Sequence, residues 1–192
     1  ARVGCISIHD VVMNKRQVDF EKKLSLAEML KESGKGYISG FFGKGCTPLG
    51  WFKDHGYDET DFIHKHPNGN GHGDWWEPAD KTLIPLDDPK RVFSLAKTSN
   101  AFLEKRAKDK KPFFLTISHY ALHVRNMSLK STRRKYLDMV AEREGIEEKI
   151  PDISKFDPNA DEMPPKMKSH WERANYAAMM ENMDTSIGMV LD

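Results

Sequence analysis

The sequence predicts an α/β fold, a mostly parallel sheet covered by helices on both faces. Two observations predict it. The elements run helix, strand, long excursion, helix, strand, and both strand candidates, "GYISGFFG" (36–43) and "PFFLTIS" (112–118), are apolar or β-prone throughout instead of alternating. Continuous apolar strands suit a sheet buried on both faces, which is the usual setting of parallel strands.

Each element has a local reason. In "KKLSLAEMLKESGKG", Ser25 and Glu28 have capping-box spacing, and Leu26, Met29 and Leu30 recur at helical spacing. Gly34 can stop that helix, so it is expected to end near residue 33. The strand at 36–43 follows. Residues 45–89 are rich in Gly, Pro, Asn, Asp and His and show no sustained period, which predicts a long structured loop of the kind that carries function. "DDPKRVFSLAKTSNAFLEKRAKDKK" reads as a second helix, with Pro89 near its first turn and Val92, Leu95, Ala96, Ser99, Phe102 and Leu103 on one face. After the strand at 112–118 come "HYALHVRN", a helix over 129–144, a polar Pro-bearing stretch over 145–170 and a last helix from about 171. In that last helix Tyr176, Met180, Met183, Ile187 and Val190 step by three or four, the spacing of a core-facing stripe.

Composition bounds the function. The chain has 192 residues, 39% hydrophobic and 31% charged, enough for one globular domain with a core. Thirty basic and 29 acidic residues in mixed order leave a net charge of +1, so no general attraction to nucleic acid or to an anionic membrane is expected. No apolar run approaches the roughly 20 residues that span a bilayer. The start, "ARVGCISIHD", has no signal-peptide organisation and no initiator methionine, and the last helix meets no breaker before Asp192. The expectation is a central piece of a longer protein. Cys5 and Cys46 are too few for a disulfide framework and lack the CxxC spacing of metal sites. P-loop, GxSxG, HExxH and EF-hand patterns are absent, and His64, His66, His72 and Asp74 match no zinc spacing.

Chemistry collects at the strand ends. Lys44 lies just past one strand, and His119 and His123 follow the other. In open parallel sheets ligands bind beyond the carboxyl ends of the strands. A lysine ammonium brings three donors and a point charge, and an imidazole can donate a proton. Together they suit a small oxyanion such as sulfate or phosphate.

Four ordered stretches carry a family resemblance. "LAEMLKESGKGYISGFFGKGCTPLG" (26–50) is similar to a family segment "LAEMLKEAGY-x-T-x-x-FGKWHLG", and "HGYDE" (55–59) to "HGFDE". "KPFFLTISHYALHVR" (111–125) is similar to "KPFFLYLSHYAVHTP", and "YAAMMENMDTSIGMVLD" (176–192) to "YAAMIENMDESVGRVLD". The chain resembles the sulfatases of the alkaline-phosphatase-like superfamily, with residues 1–192 as a partial catalytic domain.

The resemblance implies that Lys44 and His123 bind the sulfate group and that His123 assists the leaving group, while His119 and Tyr120 shape the loop. It also implies a calcium ion and a formylglycine nucleophile, made by a formylglycine-generating enzyme from a cysteine in a "C-x-P-S/A-R" motif. Cys5 is followed by "ISIH" and is not that cysteine. The nucleophile segment would precede Ala1, and the calcium ligands would lie before Ala1 and after Asp192, so the piece alone is expected to hold no catalytic metal and to be inactive.

Within the matched motifs "GKWH" is "GKGC" here, which puts Cys46 where the family has a sulfate-contacting histidine, and "HTP" is "HVR", which puts Arg125 in place of proline. The expected function is hydrolysis of a sulfate ester, with a sulfated carbohydrate as the expected substrate class, by a periplasmic or secreted parent. The alternatives are a non-catalytic homologue, suggested by the missing histidine, and a phosphate or phosphonate ester hydrolase.

Overall fold

The structure, a computed structural model, describes residues 24–44, 55–61, 87–123, 127–147 and 165–192. Its first helix, α1 (Leu26–Glu32), is held by the capping box that the sequence predicts. The Glu28 amide donates to Ser25 Oγ at 3.1 Å and the Ser25 amide donates to Glu28 Oε2 at 2.6 Å, satisfying two otherwise orphaned donors. Gly34, at φ 68°, follows the end of the helix. Leu26 and Met29 are both 54% exposed, and Ala27 is the buried residue of this short helix.

Among the described residues three parallel strands form a sheet in the order β2-β1-β3: β1 (Ile38–Gly43) in the centre, β2 (Glu59–Thr60) and β3 (Phe113–Ser118). β2 lies inside the stretch that the sequence reads as loop. Two residues are too few to show a period, and only pairing with β1 defines them as strand. β1 and β3 run in register from Ile38 opposite Phe113 to Gly43 opposite Ser118.

The second helix, α2 (Val92–Asp109), packs on one face of this sheet and buries the side the sequence predicts: Val92, Leu95, Ala96, Ser99 and Phe102. Gly40 makes the approach possible, since a Cβ there would stand 3.0 Å from the Phe102 ring. Phe42, Leu95, Phe102 and Tyr120 form a buried cluster, with the Phe42 and Phe102 rings edge to face at 5.8 Å. On the other side of the pleat, Tyr57 meets Phe41 at 5.3 Å and stacks near Phe114 at 6.2 Å.

Two further helices, α3 (Lys130–Glu144) and α4 (Pro165–Leu191), pack together around Leu137, Ile146, Trp171 and Ala174. α4 starts earlier than its expected beginning near 171, and its orientation overturns one expectation. Tyr176, Met180 and Ile187, read as a core stripe, are 42%, 47% and 39% exposed. The buried side holds Trp171, Ala174, Asn175, Ala178, Met179, Asn182 and Ser186.

The reason lies in the neighbours. Asn182 Oδ1 accepts the Leu129 amide at 2.9 Å and its Nδ2 donates to Thr132 Oγ1 at 3.0 Å, so one side chain serves the start of α3. Ser128 Oγ bonds Asn175 Oδ1 at 2.6 Å, and Ser186 Oγ donates to the Val92 carbonyl at 2.6 Å. Small and amide residues thus face inward because they let the backbones approach and pair polar groups that would otherwise be buried alone. Among the described residues no helix is long and apolar enough to cross a membrane.

Candidate functional site at the carboxyl ends of the strands

The β1–β3 ladder starts with the Ile38 amide on the Pro112 carbonyl at 3.0 Å and extends one step beyond both strands, where the Lys44 amide donates to the Ser118 carbonyl at 2.7 Å. In a parallel ladder that bond sets Lys44 opposite His119. The last residue of β1 must be glycine. Gly43 has φ 102°, and a Cβ on it would stand 2.1 Å from the Ser118 carbonyl oxygen. Lys44 therefore leaves the sheet at a sharply set angle, half-buried, directly beyond the strand end.

β3 supplies the other side. Buried Tyr120 sets its hydroxyl 3.5 Å from the Gly43 carbonyl, and the His123 amide donates to the Tyr120 carbonyl at 3.1 Å. His123 is exposed. Both residues singled out by sequence thus arise from adjacent strand ends that are hydrogen-bonded to each other. Among the described residues no hydrogen bond or ion pair occupies Lys44 Nζ or the His123 ring.

His119, opposite Lys44, is partly buried, and its Nδ1 is buried without a hydrogen-bond partner among the described residues. Burial pushes its imidazole below the ordinary 6.5 and so favours the neutral ring.

Asp61 is the residue that sequence reasoning missed. Its Oδ1 accepts the Gly43 amide at 2.8 Å, and its Oδ2 takes Arg91 Nη2 at 3.0 Å, with both side chains largely buried. The available hint was an acidic residue just after "DET" in a stretch without period, which points nowhere until β2 is recognised.

Cys46 lies outside the described residues, as do His64, His66, His72, Asp74 and Arg125. Among the described residues no three His, Cys, Asp or Glu side chains come together as a metal site.

No protein-family model matches the chain, and no curated protein matches it. The fold alone is thus mixed α/β with parallel strands. Lys44, His119 and His123 follow the carboxyl ends of two paired parallel strands, where such sheets receive ligands.

Proposed function

We propose that this chain is the central part of an alkaline-phosphatase-like sulfatase domain, and that the full-length protein hydrolyses a sulfate ester. The observation that carries the reading is the joining of the Lys44 and His123 segments. Lys44 is bonded through its amide to Ser118, and His123 leaves the turn that follows the same strand. A sulfated carbohydrate or arylsulfate is the substrate class.

The roles follow from the groups. The Lys44 ammonium donates hydrogen bonds to sulfate oxygens and offsets charge that grows on them as the ester is attacked at sulfur. His123, on the exposed turn, donates a proton to the leaving oxygen as the S–O bond breaks. His119 and Tyr120 shape the turn that carries His123. In the resembled family the nucleophile is a formylglycine hydrate and calcium clamps the sulfate; neither is supplied by the described residues.

Arylsulfate turnover by the full-length, matured protein tests the reading. Lys44→Ala is expected to lower it roughly 100-fold, the usual cost of losing one transition-state donor. Unchanged turnover removes Lys44 from the mechanism. Faster cleavage of phosphate esters than of sulfate esters moves the protein to the phosphate or phosphonate class. A second reading, a non-catalytic binding protein of the same fold, rests on Cys46 standing where the resembled motif has histidine. Absence of any ester hydrolysis together with retained binding of a sulfated glycan would favour it.

A further inference from the structure

We infer that Asp61 is the positioning residue for Lys44, an inference that rests on the sulfate-binding role proposed for that lysine. β2 ends at Thr60 while β1 continues to Gly43, so the partner strand runs out before the central one does. The Asp61 carboxylate takes over from the missing strand, accepting the Gly43 amide at 2.8 Å. A carboxylate acceptor makes this bond stronger than the backbone bond it replaces.

Asp58 does the same at the other end of β2, accepting the Ser39 amide at 2.9 Å, but the two differ in their surroundings. Asp58 faces Lys31, whose side chain is 60% exposed, whereas Asp61 faces Arg91 with side chains only 13% and 14% exposed. Arg91 itself sits in the left-handed region, at φ 57°, immediately before α2. One carboxylate therefore joins the end of β1, the end of β2 and the start of α2.

The consequence falls on Lys44. The peptide groups around it are held from three directions: Gly43 N–H by Asp61, the Gly43 carbonyl by Tyr120, and Lys44 N–H by Ser118. Asp61 fixes the one direction that neither β3 nor its turn supplies. Arg91 has a second task, because a bare carboxylate one residue from Lys44 would repel an anionic ester. The ion pair lets Asp61 orient the backbone without opposing the substrate's charge.

The test is a double-mutant cycle on arylsulfate turnover in the full-length, matured protein, with thermal midpoints measured alongside. In the Lys44 background Asp61→Ala is expected to lower kcat/KM about 10-fold, since small misplacements of a catalytic group are costly. In the Lys44→Ala background the same change is expected to cost less than about 2-fold, because the group it positions is gone. Asp61→Asn keeps an acceptor for Gly43 and should restore most of the loss; if Asp61→Ala does not fold, Asp61→Leu, which fills similar space without an acceptor, takes its place in the cycle. Equal losses in both backgrounds, or no loss in either, overturn the positioning role while leaving Lys44 in place. No effect of Lys44→Ala removes Lys44 from the mechanism and overturns this inference with it, whereas the sulfatase reading falls only if the matured protein turns over no arylsulfate.

Discussion

Asn182 on the last helix is 3% exposed and bonds both the Leu129 amide, at 2.9 Å, and the Thr132 hydroxyl, at 3.0 Å. Leu129 precedes α3 and makes no side-chain cap of its own. The start of α3 is thus capped by a residue some fifty positions later in the chain, where a local sequence reading would look for a neighbour.

Replacing that amide by a shape-matched hydrocarbon is expected to be costly. Asn182→Leu removes a donor and an acceptor and leaves the part-buried Leu129 amide without this partner, a loss of about 1–3 kcal/mol. Urea denaturation followed by circular dichroism measures it. A loss below about 0.5 kcal/mol would show that water replaces the side chain.

The strand end that launches Lys44 makes a sharper prediction. Gly43→Ala forces a Cβ to 2.1 Å from the Ser118 carbonyl oxygen at φ 102°, and is expected to destabilise by at least about 2 kcal/mol through overpacking and backbone strain together. Gly34→Ala is the control: its φ is 68° but nothing lies within 4 Å of the added carbon, so only the conformational cost, about 1 kcal/mol, is expected. Equal midpoints for the two variants would refute the close contact.

The two sides of α4 can be told apart by substitution. Ala178 is fully buried, and Ala178→Leu is expected to cost about 1–3 kcal/mol. Met180 is 47% exposed, and Met180→Gln is expected to change stability by less than about 0.5 kcal/mol. The reverse order would restore the core stripe that the periodicity suggests.

His119 gives the pH dependence. Burial holds its folded pKa below the ordinary 6.5, so the unfolded chain binds the proton more readily. Stability is therefore expected to fall as the pH drops from 6.5 toward the lower folded value, and His119→Gln should flatten that part of the profile. Chemical denaturation at a series of pH values checks it; a profile identical to that of the unsubstituted protein would remove His119 from the effect.

Much of the local structure was legible in the sequence. Ser25 and Glu28 announce the first cap, the apolar runs announce β1 and β3, and the face from Val92 to Phe102 is buried as its period predicts. Lys44 was also legible as a lysine just beyond a strand. β2 was not, because two residues carry no period, and Asp61 was hidden with it.

By itself, the sequence determined the helices, the strands β1 and β3 and their α/β order, because caps, turns and periodicity are local properties of the chain. Only the tertiary structure decided that Lys44 stands opposite His119, that Asp61 replaces a strand for Gly43, and that α4 turns Asn175, Asn182 and Ser186 inward. Periodicity named the covered face of α2 correctly but not that of α4, whose buried side carries polar residues. The choice was made by orphaned amides and carbonyls at the ends of other elements, which exist as demands only once those elements have been brought together.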